Sequence, residues 1–234
     1  MTRERVLVWD GCVNVRDLGG LPLEGGGETR FGVVVRADSL AGLTSRGWQA
    51  LQDYGVRSAI DLRGDHELEA TAERPIPVTR IPITPLSGPG WEWPSMLEAY
   101  LAVLETFRAQ FTAAVDALAA ADPPVLLHCQ GGRDRTGLVV ALLLAAAGVD
   151  AETIAADHAL SDESWAPHND EWLAEAPDER ERERRRRILQ PAGRTLAEVL
   201  EEIERSDGIR AFLLGAGADE RALDRLVARL RGEA

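Results

Sequence analysis

The chain has 234 residues, 45% of them hydrophobic, and its 39 carboxylates against 26 basic side chains give a formal charge of −13. That length and apolar content fit one α/β domain, residues 1–234, rather than two independent ones. The acidic balance argues against nucleic acid as a partner, because phosphate backbones demand a basic footprint; every basic residue is arginine, so any anion site has to be local.

At the N-terminus, Met1 to Asp10 lacks the basic-then-apolar layout of a secretory signal, and Cys12 and Cys129 allow at most one disulfide, which together point to a reducing, cytoplasmic setting. Arg16 and Asp17, in Asn14-Val15-Arg16-Asp17-Leu18-Gly19-Gly20, read as fixing an N-terminal turn, and Gly25 to Gly27 as a flexible one. Val33 to Arg36 is β-branched and predicts a strand. Leu43-Thr44 opens a helix through Trp48 and Leu51, with Gly55 as its C-terminal cap, and Val56 to Leu62 follows as a second strand. Strand, helix, strand predicts a parallel pair with a right-handed crossover. Val78 to Ile83 predicts a further strand that Pro77 and Pro82 confine to an edge or cut short. Trp91 to Pro94 reads as packing at a helix entry. From Pro94 to Ala120, Leu97, Leu101, Leu104, Phe111, Val115 and Leu118 recur at three- and four-residue steps, the face of one long helix.

Val125-Leu126-Leu127 is fully apolar, as a central strand buried on both faces should be. Thr136 to Ala147, closed by Gly148, predicts a buried helix, and its run from Leu138 to Ala147 is about half the ~20 residues of a membrane span. Asp150 caps a helix to about Leu160. Ser161 to Pro191 changes character, with Trp165, Trp172 and the block from Glu179 to Arg187, and reads as an inserted, partly helical excursion. Arg194 to Arg205 and Asp219 to Leu230 are amphipathic helices.

The chemistry concentrates in His128-Cys129-Gln130-Gly131-Gly132-Arg133-Asp134-Arg135-Thr136-Gly137, between a buried strand and a helix, at the carboxyl end of a strand where open sheets bind ligands. Gly131 and Gly132 let the backbone curl so that successive N–H groups converge on an anion. The next helix aims its N-terminus at the same place, and Arg135 offers a planar fork for two phosphate oxygens. The same surroundings favour a thiolate, the nucleophilic form of cysteine. Cys129 is therefore the expected nucleophile, attacking phosphorus to give a thiophosphate that water then hydrolyses. Asp134 is the expected proton donor and acceptor, and Thr136 can donate its hydroxyl to the sulfur. Gln130, Gly131, Gly132, Arg133 and Thr136 complete the substrate-binding loop. Asp61 and Arg63, at a strand end, are counted with that set, with a structural ion pair between them as the alternative. His128 reads as orienting the loop and Cys12 as inert. No cofactor is expected, since the sequence has no clustered His and Cys spacing for a metal.

His128, Cys129, Arg135 and Thr136, in the pattern His-Cys-x5-Arg-Thr, resemble the signature of the protein tyrosine phosphatase superfamily. With Asp134 beside Arg135 the string is similar to the bacterial subgroup of tyrosine and phosphoinositide phosphatases. Asn14 to Gly20, Arg36-Ala37-Asp38, Ile60 to Arg63 with Glu67, and Asp157-His158-Ala159-Leu160-Ser161 agree with that subgroup, so the resemblance covers most of the chain. It departs at Arg133, where lysine is usual, and at His158, where tyrosine is common. The resemblance implies a single α/β domain with a mostly parallel central sheet flanked by helices, hydrolysis of phosphotyrosine protein or phosphoinositides, and a helical lid over about Ser161 to Pro191. Within that lid, Arg184 to Arg187 read first as a solvated helix face paired with its own glutamates; transient contact with a second phosphate or an anionic lipid head group is the alternative. Two rival functions are a sulfurtransferase, against which Arg135-Thr136 speaks, and a non-catalytic module that binds phosphorylated ligands.

Overall fold

In a computed structural model that describes residues 4–68, 75–84 and 93–233, a five-stranded sheet carries the molecule. Its strands are β1 (Arg16–Asp17), β2 (Val34–Ala37), β3 (Ser58–Asp61), β4 (Val78–Arg80) and β5 (Val125–His128). Their order is β1-β2-β5-β3-β4, parallel throughout except for the antiparallel β1. The helices are α1 (Ser45–Tyr54), α2 (Met96–Thr106), α3 (Arg108–Ala120), α4 (Asp134–Ala146), α5 (Ala151–Trp165), α6 (Asn169–Ala174), α7 (Glu179–Ile188), α8 (Gly193–Ser206), α9 (Ile209–Gly215) and α10 (Glu220–Arg231). Among the described residues, no helix is long and apolar enough to cross a membrane.

The sheet is buried on both faces because its strands alternate two apolar sets, as period-two geometry requires. Val34, Ile60, Val125 and Leu127 join the larger core beneath α2, α3, α4, α8 and α10. Val35, Ala59 and Leu126 face the other way, toward Leu51 of α1, Trp9 and Val56.

Four expectations change here. β2 and β3 are parallel but not neighbours: β5 inserts between them, pairing Ala37 with His128 on one side and Asp61 with His128 on the other. The three strands thus end level, and Cys129 leaves the sheet from its middle. The single helix expected from Pro94 to Ala120 is two, α2 and α3, interrupted at Phe107 (φ −114°, ψ 27°); the apolar steps run on across the bend, so nothing in their spacing marks it. Trp91 and Glu92 lie outside the described residues. The Thr44 and Gly55 caps of α1 and the short edge strand β4 stand as the sequence predicted. Asp150 caps α5 as expected, but that helix continues to Trp165, into the segment read as an insertion. Arg16 and Asp17 form a buried strand rather than a turn.

Candidate active site

The loop from Cys129 to Arg133 closes the gap between β5 and α4. Its carbonyl groups are all held on the outside. Cys129 O lies 3.1 Å from His128 Nδ1, Gln130 O accepts from Ser39 N–H at 2.9 Å, and Gly131 O accepts from both Asn14 Nδ2 (2.9 Å) and Trp165 Nε1 (2.8 Å). Gly132 O accepts from Arg36 Nη2 at 2.8 Å, and Arg133 O from Gly137 N–H at 2.7 Å. Because a peptide's C=O and N–H point in opposite directions, carbonyls fixed outward leave the N–H groups of the loop turned toward its centre. Among the described residues, none of the backbone N–H groups from Gln130 to Thr136 donates to a protein acceptor. The last of these also belong to the first turn of α4, whose N–H groups have no partner within the helix.

Only one glycine of the pair is conformationally required. Gly132 has φ +64°, and a Cβ there would stand 2.3 Å from Ala37 O, so the loop passes against the end of β2 where no side chain fits.

Behind the loop lies a buried ionic cluster. Asp157 on α5 takes ion pairs from Arg5, Arg16 and Arg36, so three guanidiniums face one carboxylate and leave a net two positive charges. Burial, opposed by its arginines, leaves Asp157 well below the usual carboxylate range. Arg36 is lowered to about 9, by burial first and then by Arg16, and is charged at neutral pH. Ser161 Oγ joins the cluster, accepting from Arg16 Nη2 at 3.0 Å. Arg36 and Asp157 had no task in the sequence; in the structure Asp157 holds Arg36, and Arg36 grips Gly132 O.

Arg135 is buried and lies against the turn Asp65–Glu67: Nη1 and Nη2 donate to the two oxygens of Glu67, each at 2.6 Å, and Nη1 also reaches Ile83 O at 3.1 Å. Cys129 is 2% exposed, and Thr136 is fully buried with no hydrogen-bond partner for its hydroxyl among the described residues. Asp134 opens α4 and accepts from Tyr100 Oη at 2.5 Å and from Arg133 Nη1 at 3.4 Å, both on Oδ1. Burial alone would raise the Asp134 carboxyl, but Arg133 and the Tyr100 hydroxyl outweigh it and hold it below its ordinary value. His158 sits under the first turn of α4, against Gly137, where a Cβ would come 2.5 Å from the imidazole. Among the described residues neither ring nitrogen has a hydrogen-bond partner, and the imidazole is lowered to about 3, chiefly by burial and then by Arg36.

Three groups of the residues singled out in the sequence have protein partners of their own. Asp61 and Arg63 are 0% and 1% exposed and paired with each other, Arg63 Nη2 to Asp61 Oδ2 at 2.8 Å, with Arg63 Nη1 on Ser39 Oγ at 2.9 Å. They form the ion pair that the sequence offered as the alternative, bracing the Ser39 that holds Gln130 O. Asp61 is lowered to about 2, burial being outweighed by Arg63. Arg133 turns its guanidinium to the 161–191 segment: Nε donates to Asp162 (2.6 Å), Nη1 to Ile188 O (2.6 Å) and Nη2 to Gln190 O (2.6 Å). The basic stretch is also engaged: Arg184 and Arg185 pair with Glu181, and Arg186 with Glu179 and Glu183. Cys12 is pushed well up by burial and Asp38, with its sulfur 3.6 Å from Ser39 O. The residues that the sequence left unassigned are Tyr100, Ser39 and Asn14; polar side chains in apolar or turn contexts gave them no distinguishing signal. Among the described residues, no group of three or more His, Cys, Asp and Glu side chains is arranged to hold a metal ion.

The profile of the tyrosine phosphatase family matches residues 7–232. A Cupriavidus necator protein named as a tyrosine-protein phosphatase is 32% identical over 187 residues, 72% of this chain and 67% of that protein. A Nostoc commune tyrosine-protein phosphatase is 34% identical over 139 residues, 54% of this chain and 47% of that protein. The triple specificity protein phosphatase PtpB of Mycobacterium tuberculosis is 55% identical over 47 residues, 20% of this chain and 17% of that protein.

Proposed function

Since the chain belongs to the tyrosine phosphatase family, we propose that it hydrolyses phosphate monoesters through a covalent phosphocysteine on Cys129, with aryl phosphates such as phosphotyrosine as the preferred substrates. The observation that carries this reading is the outward capture of every carbonyl from Cys129 to Arg133, which leaves a ring of N–H donors around the cysteine.

In the first step the Cys129 thiolate attacks phosphorus, the S–P bond forms, the P–O bond to the leaving group breaks, and that oxygen takes a proton from Asp134. In the second step water attacks the phosphocysteine, Asp134 accepts the water's proton, the S–P bond breaks, and the thiolate and inorganic phosphate are released. The N–H groups of the loop and those N–H groups of the Arg135 guanidinium fork that Glu67 leaves uncommitted hold the equatorial oxygens in both steps, where charge develops. Glu67 fixes the plane of that fork. Thr136 is free to donate to the sulfur when it leaves.

The lowered Asp134 supports the aryl preference. A carboxyl that is mostly ionised at neutral pH is a ready base for the second step and a scarce acid for the first, and phenolic leaving groups need that acid least. The pairing of Arg184, Arg185 and Arg186 with glutamates of their own helix leaves little there to recruit a phosphoinositide.

The experiment is hydrolysis of p-nitrophenyl phosphate, a phosphotyrosine peptide and a phosphoinositide panel by the wild type, Cys129→Ser and Arg135→Ala. Turnover lost in Cys129→Ser with phosphate binding kept, and both lost in Arg135→Ala, is the expected result. Turnover surviving in Cys129→Ser would remove the covalent route. Saturable binding without turnover in the wild type would make the chain a phospho-ligand module instead, and a phosphoinositide ranked first would overturn the aryl preference.

A further inference from the structure

We infer that Tyr100 is a positioning residue for the proton transfer: its hydroxyl occupies one oxygen of Asp134 and so reserves the other for the reacting ester. The inference rests on the acid–base role proposed above for Asp134.

Tyr100 lies on α2, far in sequence from the loop, and is 3% exposed, yet its hydroxyl reaches Asp134 Oδ1 at 2.5 Å. Arg133 Nη1 approaches the same oxygen at 3.4 Å. Among the described residues, Oδ2 receives no hydrogen bond. One carboxylate oxygen is thus doubly engaged by the protein, and its twin is left to the leaving group and then to water. A carboxyl at the start of a helix has a rotatable χ2 that either oxygen can satisfy; a buried phenol locked to one of them removes that freedom. Proton transfer needs a heavy-atom separation of about 2.6–3.2 Å, so a fixed orientation matters as much as acidity.

The charged and titratable groups facing Asp134 are Tyr100 from α2, Arg133 and Arg135 from the loop and α4, and His158 from α5, with Asp162 beyond Tyr100. Burial and the Asp134 carboxylate raise Tyr100 well above its ordinary value, so its hydroxyl keeps the proton and stays a donor. His158 is neutral near pH 7 and carries no competing charge.

Tyr100→Phe keeps the ring and its packing and removes only the donor. The readout is the pH dependence of kcat/KM on an alkyl phosphate and on p-nitrophenyl phosphate, in the wild-type and Asp134→Asn backgrounds. Asp134 without its donor binds a proton more readily, so the basic limb of the profile moves up by about one pH unit, and the alkyl substrate loses more than the aryl one at a pH below that limb. In Asp134→Asn the same substitution changes nothing further. A Tyr100→Phe profile that is only scaled down, with its limb unmoved and equal losses on both substrates, would overturn the inference and leave the role of Asp134 intact. An Asp134→Asn enzyme that retains the wild-type basic limb and leaving-group dependence would overturn both. If Tyr100→Phe fails to fold, Tyr100→Met is read in the same assay by the same criteria.

Discussion

Arg135 and Glu67 meet through two parallel bonds, each terminal nitrogen 2.6 Å from its own carboxylate oxygen. Glu67 is in turn fixed by the N–H of Gly64, 2.8 Å from Oε2. Glu67→Gln keeps the shape and loses the charge, so the fork becomes free to turn. Charge-assisted bonds of this kind are worth about 1.5–3 kcal/mol, and kcat/KM is expected to fall roughly ten- to a hundredfold, read by steady-state kinetics on an aryl phosphate. An unchanged kcat/KM would mean that Ile83 O and the loop alone hold Arg135.

Arg133 ties α5 and the end of α7 to the loop through Asp162, Ile188 O and Gln190 O. In Arg133→Ala these anchors go together, and amide exchange across about 161–192 is expected to quicken while the first half of α5 stays protected. Exchange matching the wild type would show that Trp165 and the apolar contacts suffice. Arg133→Lys, a compact cation with no fork, should recover little of the lost protection.

His158 produces a pH dependence of stability with a definite sign. Its native value is about 3 against an ordinary 6.5, so the unfolded chain takes up a proton that the native state refuses. Stability is flat above about pH 6.5 and declines as pH falls toward about 3, by about 1.4 kcal/mol per unit. Asp61 and Asp157, both lowered, lose their contributions only at lower pH, below the unfolded carboxylate range near 4. Urea unfolding between pH 6.5 and about 5 therefore isolates the histidine. His158→Gln should flatten the slope; equal slopes in both proteins would refute the assignment.

Gly132→Ala places a methyl 2.3 Å from Ala37 O on a backbone with φ +64°. The backbone alone costs about 1–2 kcal/mol, and the clash forces the loop from β2. Thermal unfolding several degrees lower, with loss of phosphate binding, is expected. Gly26→Ala is the control: φ is +101° but nothing lies within 4 Å, so phosphate binding should be untouched. Equal effects would mean that strain, not the approach to Ala37, sets the requirement.

Strands β2 to β5 and most helices were legible because each is short, apolar or bounded by a cap: Thr44 and Gly55 around α1, Asp150 before α5, Asp219 before α10. The order of the strands was not, since pairing β2 with β5 is a long-range choice that no local pattern encodes. The loop was legible because Cys129, Arg135 and the glycines sit together in sequence. Its supports were not: Tyr100 sits among the apolar residues of α2 and reads as core, and Arg133 inside the motif reads as a ligand until its bonds to Ile188 and Gln190 are seen. The pairing of Asp61 with Arg63 was legible only as an alternative, for a related reason. A strand end faces the site, but alternation and mutual charge turn these two into each other.

The outward capture of the loop carbonyls has a kinetic consequence. A ring of donors assembled during folding, before any ligand arrives, recognises the tetrahedral oxyanion and not the group attached to it. On the proposed function, free inorganic phosphate is expected to fit as the ester does, so that product competes with the next substrate for the loop. Sulfate and vanadate would meet the same donors, so turnover is expected to fall with the concentration of any such anion, and selectivity among esters would come from the walls around the loop.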